Sequence, residues 1–171
     1  MQLLCYKELY YINMEELCRR STNTMMGFMM YKELLKSKGL KSTPQRIMVL
    51  KMIAQSGHID IDQLSQNFKK SEINIPIATL YRILGELSSV GILHTVTLSV
   101  GKTKYEIEKG EHPHFLCKEC GYLEDLQVAM NDIITIAQNA CTHSTSSASV
   151  MLHGICQNCD SFSNTKNVQH K

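Results

Sequence analysis

The 171-residue chain has no stretch approaching the about 18 consecutive apolar residues that a membrane-spanning helix requires. Residues 1–30 break their apolar runs with Lys7, Glu8, Glu15, Glu16, Arg19 and Arg20, so no secretory signal is read there. Also missing are a His-Glu-x-x-His pair, a nucleophile-elbow serine and a phosphate-binding P-loop. These absences argue against a membrane partner, an exported protein and a small organic substrate. They make the cytoplasm the expected compartment, and no catalytic residue is assigned. With 43% apolar and 20% charged residues, the chain sits near the globular average, and most of it is expected to fold into one or two small domains.

The formal net charge of +2 hides an asymmetry. Residues 31–105 carry eleven Lys and Arg against five Asp and Glu, whereas residues 106–171 carry four against eight. A basic module followed by an acidic, histidine-bearing one points to a polyanion partner for the first and cations for the second. Scattered solvated charge is the bland alternative.

Seven cysteines are many for a chain in a reducing compartment. Four form two Cys-x-x-Cys pairs, Cys117 with Cys120 and Cys156 with Cys159, leaving Cys5, Cys18 and Cys141 over. Two such pairs match a tetrahedral thiolate zinc site better than a disulfide framework. Free thiols or redox pairs are the competing reading.

From Tyr31 the pattern turns regular. A short helix around Leu34 and Leu35 is expected to end at Gly39. A second opens on Thr43 as N-cap with Pro44 at the first helical position, and places Ile47, Leu50, Ile53 and Ala54 on one face before Gly57. Asp60 with Gln63 resembles a capping box for a third helix carrying Ile61, Leu64 and Phe68. A fourth runs from about Pro76 to Val90, with Ile77, Leu80, Leu84 and Leu87 as its buried stripe. The period then changes to two in Ile92–Thr97 and Thr103–Glu108, across a turn holding Ser99 and Gly101.

Three helices followed by a two-stranded wing is the order of a winged helix-turn-helix, whose last helix enters a DNA major groove. Thr79, Arg82 and Glu86 share the polar face of that helix, flanked by Ala78 and Tyr81. Arg82 suits a guanine edge or a phosphate, and Tyr81 a phosphate or a thymine methyl. Arg46, Lys41 and Lys51 near the second helix, and Lys102 and Lys104 near the wing tip, are assigned to phosphates.

Beyond the wing stands His112-Pro113-His114-Phe115-Leu116-Cys117-Lys118-Glu119-Cys120-Gly121. In an extended segment His112 and His114 project to one side and can share a metal. The first knuckle closes on Gly121; the second, Cys156-Gln157-Asn158-Cys159, follows an apolar segment from Val150 to Ile155 that is expected to pair as a strand. A zinc deaminase would need Pro before the first knuckle cysteine and His-x-Glu upstream, where this chain has Leu116 and His114.

The run Thr43-Pro44-Gln45-Arg46, Ala78-Thr79-Leu80-Tyr81-Arg82, His112-Pro113-His114 and the two cysteine pairs resembles the ferric uptake regulator (Fur) family of bacterial metal-dependent repressors, over about residues 31–160. The resemblance implies an α+β chain with a winged helix DNA-binding domain over 31–108 and a small α/β metal-binding dimerisation domain over 109–160; outside it, residues 1–30 read as an extension of unclear role, such as an extra helix packing on the next module, and 161–171 as a disordered tail. It implies a homodimer on a double-stranded DNA operator, and one structural zinc per subunit on Cys117, Cys120, Cys156 and Cys159. A regulatory Fe(II) or Mn(II), with Zn(II) the third candidate, would fall to His58, Glu106, His112, His114 and Asp125. Arg46, Thr79, Tyr81, Arg82 and Lys102 would meet DNA.

The chain departs from the family at Pro113 and Ala148, where members with a third metal site carry ligands, and residues 1–30 have no counterpart. An aspartate as last regulatory ligand resembles the peroxide-sensing (PerR-type) branch more than the iron-sensing one, with zinc sensing third. In that branch peroxide reacts at the bound iron, a ligand histidine is oxidised and DNA is released; His58 and His112 are the candidates. Two other classes compete: a zinc-ribbon interaction or metal-buffering protein without specific DNA binding, and a metal hydrolase.

Overall fold

The computed structural model describes residues 25–98, 102–140, 142–143 and 148–160. The wing turn at Ser99 and Gly101, the residues before Met25, the tail 161–171, and Cys5, Cys18 and Cys141 lie outside the described residues. The chain divides into two compact units, Met1–Lys109 and Gly110–Lys171.

The first unit holds four helices and a hairpin: α1 Met25–Ser37, α2 Pro44–Ser56, α3 Ile61–Lys70, α4 Ile77–Ser89, then β1 Leu93–Thr97 and β2 Thr103–Ile107. Helix α1 begins six residues before the boundary expected at Tyr31, and buries Tyr31, Leu34 and Leu35 against the core, with Met30 packed on it. Its chain reverses at Gly39, whose φ of +74° is open to glycine at no steric cost. Helix α2 is capped as its sequence dictates: the Thr43 hydroxyl accepts from the Arg46 backbone N–H, and Pro44 fills the first position. Helix α3 opens with the full capping box, Asp60 accepting from the Gln63 N–H and the Gln63 side chain from the Asp60 N–H.

Pro76 and Val90 are the caps of α4 rather than its members. One expected core residue is misplaced: Ile77 is 48% exposed, and Ile83 lies in the core with Leu80, Leu84 and Leu87. At about 100° per residue the four buried positions centre on a stripe that Ile77 misses by about 70°. A first-turn residue that far off the stripe faces outward, as its exposure shows.

Strands β1 and β2 pair antiparallel with Leu93 opposite Ile107 and Thr97 opposite Thr103. Ile59, between α2 and α3, makes a further antiparallel bridge to Tyr105, each backbone N–H donating to the other's carbonyl at 3.1 and 2.8 Å. This stitches the wing to the helical core.

The second unit is a three-stranded sheet of order β4-β3-β5, from β3 His114–Cys117, β4 Leu123–Asp125 and β5 Met151–Gly154, with α5 Met130–Asn139. Helix α5 goes unnoticed in the sequence reading, although Met130, Ile133, Ile134 and Ala137 recur at helical spacing. Strand β4 runs antiparallel to β3 and β5 parallel to it, with Cys117 opposite Gly154. The backbone at Gly154 runs close to Phe115: a Cβ there would lie 2.9 Å from its Cε2, so a larger residue would have to displace that ring. Among the described residues, no helix is long and apolar enough to cross a membrane.

The burial difference on α4 is measurable. Leu80→Ala is expected to lower the unfolding free energy by about 2–5 kcal/mol. Ile77→Ala should change it by no more than about 0.5 kcal/mol. Urea titration followed by far-ultraviolet circular dichroism distinguishes the two.

Candidate metal centres and nucleic-acid face

The two cysteine pairs meet because β3 and β5 are neighbours. Cys117 ends β3, Cys156 follows β5 by two residues, and the ligand atoms of Cys117, Cys120, Cys156 and Cys159 all lie within 4.8 Å of one another. The first knuckle is a tight turn, with the Gly121 N–H donating to the Cys117 carbonyl at 3.0 Å and Gly121 at φ +71°. The Sγ atoms of Cys120 and Cys156 are 3.7 Å apart.

The backbone N–H groups of Cys120 and Cys156 aim at the Cys117 sulfur and bring its thiol down to about 6. The neighbouring sulfurs of Cys156 and Cys120 push the Cys159 thiol up to about 12. Four thiols crowded this closely cannot all ionise against one another. A divalent cation removes that conflict, so the donor set fits a structural zinc.

Imidazole and carboxylate donors stand together in each of the two units. In the first, the Ile59–Tyr105 bridge sets the residues flanking it side by side: His58 Nε2 lies 3.3 Å from Oε2 of Glu106, which is 1% exposed. Lys109 Nζ lies 3.2 Å from the same oxygen. In the second, the β3–β4 register puts His114 opposite Asp125, and Asp125 Oδ1 is 3.0 Å from His112 Nε2 and 3.4 Å from His114 Nε2. The two imidazole centroids are 4.4 Å apart.

The tautomer of His112 follows from its other nitrogen, which lies 2.8 Å from the Gly110 carbonyl. A carbonyl only accepts, so Nδ1 carries the proton, and in the neutral ring Nε2 turns a lone pair toward a carboxylate oxygen. That contact is attractive only with a cation, metal or proton, at Nε2. Histidine nitrogens and carboxylates of this kind suit Fe(II), Mn(II) or Zn(II).

On the face assigned to DNA, Tyr81 (56% exposed) and the Arg82 side chain (58%) stand outward on α4, and Lys102 is exposed beside the wing turn. Thr79 is half-buried. Arg46 is engaged inside the unit: its Nη1 donates to the Lys41 carbonyl at 2.6 Å and its Nη2 to Glu86 Oε2. Arg82 Nη1 donates to the other oxygen of Glu86 at 2.7 Å. The Arg46 bond, joined by that of Arg82, holds the Glu86 carboxyl below its ordinary range. Sequence reasoning placed Glu86 on this face without a role; its spacing of four from Arg82 was the available signal for one half of the network.

A profile of the ferric uptake regulator family matches residues 37–153. The chain belongs to the ferric uptake regulator family. As a member it is a metal-dependent DNA-binding transcriptional regulator. The peroxide-responsive repressor PerR of Staphylococcus aureus is 27% identical over 127 residues, covering 73% of this chain and 86% of that protein. The Campylobacter jejuni peroxide stress regulator is 28% identical, with a TM-score of 0.55 over 79% of this chain and all of that one. The Vibrio cholerae ferric uptake regulator is 25% identical, with a TM-score of 0.63 over 74% of this chain and 99% of that one.

Zinc uptake by the reduced, metal-stripped chain should release protons, because the ligands bind as thiolates. A Cys159 thiol near 12 is fully protonated at neutral pH and gives up about one proton on binding, so zinc retention weakens as pH falls. Proton release read with an indicator in weak buffer, beside zinc content, checks this; Cys159→Ser should release fewer protons and hold less zinc.

Proposed function

We propose that this regulator is a peroxide-responsive repressor that binds an operator as a homodimer. We further propose that its regulatory cation is held by His58 and Glu106 from the first unit with His112, His114 and Asp125 from the second. The observation that carries this is the His112 contact: a ring fixed by the Gly110 carbonyl to present Nε2 to Asp125 is arranged for a cation. Asp125 as the carboxylate of that set, and the peroxide-responsive relatives, favour peroxide as the signal.

The residues divide the work. His58 is positioned by the Ile59–Tyr105 bridge and Glu106 by the wing, so this half of the set belongs to the unit that reads DNA. His112, His114 and Asp125 belong to a sheet closed by the knuckles. Ligands drawn from both units make occupancy a condition for DNA affinity, because a cation that binds one arrangement better shifts the protein toward it. A bound Fe(II) would supply redox reactivity toward peroxide; an oxidised His58 or His112 loses its lone pair as a donor, and repression is lifted. Thr79, Tyr81, Arg82 and Lys102 form the proposed DNA face, with Arg46 acting on it through its neighbours.

The homodimer reading is supported by the second unit's exposed apolar side chains: Tyr122, Val128, Ile136, Leu152 and Ile155 are all more than half or about half exposed, Ile136 at 72%. Burial of such side chains against a second copy would remove their apolar area from water.

Purified protein loaded with Fe(II), Mn(II) or Zn(II) should bind its operator in each case. Peroxide should abolish binding of the iron form alone, with oxygen added to His58 or His112 by mass spectrometry. Binding by the iron form that survives peroxide would make iron or zinc the signal. Ile136→Glu should shift the sedimenting species from dimer to monomer; an unchanged dimer would place the interface elsewhere.

A further inference from the structure

Helix α4 carries Glu86 one turn after Arg82, on the face proposed to meet DNA, which makes it a negative charge where phosphates are expected. A carboxylate facing phosphates weakens binding, so its position asks for a compensating role. Its two oxygens are divided between two arginines: Oε1 accepts from Arg82 Nη1 at 2.7 Å and Oε2 from Arg46 Nη2. Arg46 in turn donates to the Lys41 carbonyl at 2.6 Å, so the segment before α2, the first turn of α2 and the outer face of α4 share one network. Exposure is graded along it, with the side chains of Arg46, Glu86 and Arg82 at 11%, 32% and 58%.

The grading separates the roles. Arg46 is an anchor, nearly enclosed, with both terminal nitrogens engaged. Arg82 gives only one terminal nitrogen to Glu86, and its side chain is more than half exposed. An isolated surface pair four residues apart is weak, so Glu86 cannot compete strongly with DNA for Arg82. Here, however, the carboxylate is itself held by Arg46, and it holds Arg82 in turn. A guanidinium already fixed in plane loses less side-chain freedom when it donates its free edge in the bidentate geometry that guanine O6 and N7 require.

We propose that Glu86 is a positioning residue for sequence discrimination: anchored by Arg46, it aims Arg82 at a base edge, and its charge lowers affinity for DNA of arbitrary sequence. This rests on the reading of α4 as the DNA-contacting helix. Glu86 touches no base in this scheme and acts through Arg82.

The test uses the full-length metal-loaded protein and two probes: selection from a randomised duplex library, and titration with sheared DNA of mixed sequence at several salt concentrations. The wild type should select a motif containing a G·C pair whose preference is lost in Arg82→Ala. Failure to select any motif would overturn the DNA reading itself, and the present inference with it. Given selection, Glu86→Gln should weaken the preference at that same pair by about tenfold. It should also tighten binding to mixed-sequence DNA by a few fold and steepen the salt dependence by about one phosphate contact.

Glu86→Asp keeps the charge but shortens the reach. It should lose the base preference without gaining affinity for mixed-sequence DNA, which guards against misfolding of the glutamine variant. If Glu86→Gln weakens selected and mixed-sequence DNA equally, or leaves the selected motif unaltered, Glu86 is only an interhelix tether and the proposal fails.

Discussion

The parallel pairing of β3 with β5 is the contact on which the second unit depends. It spans a long sequence separation, sets Cys117 against Gly154, and so brings two knuckles from opposite ends of the unit to one place. Little else could hold this unit closed. Its buried apolar residues among those described are Pro113, Leu116, Cys117, Leu123 and Met130, while the first unit buries Leu, Ile, Val and Phe side chains from all its helices and from β1. A unit with so thin a core needs a staple, and four thiolates around a cation are one. The unfavourable crowding of the four sulfurs without a cation and the favourable closure with one are two sides of the same geometry.

Two donor sets of different chemistry are thereby kept apart. The sulfur set sits at the ends of β3 and β5, where turn geometry gathers soft ligands. At the other end of β3, His112 and His114 stand with Asp125, imidazole and carboxylate donors that suit a harder ion. The strand register performs the sorting: His114 and Cys117 open and close a single four-residue strand, so each is placed by the same hydrogen bonds. In the first unit the Ile59–Tyr105 bridge does the same for His58 and Glu106.

The face carried by α4 follows a different logic. Its core side is settled by period and burial, while its outer side is settled by charge. Glu86 joins two cations of like sign that would otherwise repel and disperse into solvent. The Arg46 anchor exists because the α2 N-terminus and the outer edge of α4 lie side chain to side chain, a consequence of how the helices pack around Leu50, Ile53, Leu80 and Leu84.

Much of this was legible in the residue order. The Thr43-Pro44 start of α2, the Asp60/Gln63 box of α3, the change of period into the wing and the paired cysteines are local signals, each carried by interactions within a few residues, and the structure realises each of them. Tertiary structure alone decided the rest, because these features depend on residues far apart in the chain. It exposed Ile77 and buried Ile83, since the stripe is defined by what packs against it. It brought Asp125 to His112 and His114 through strand register, and joined Arg46 to Glu86 across forty residues of sequence. Local preference names the element and its ends; only packing decides which of its side chains meet.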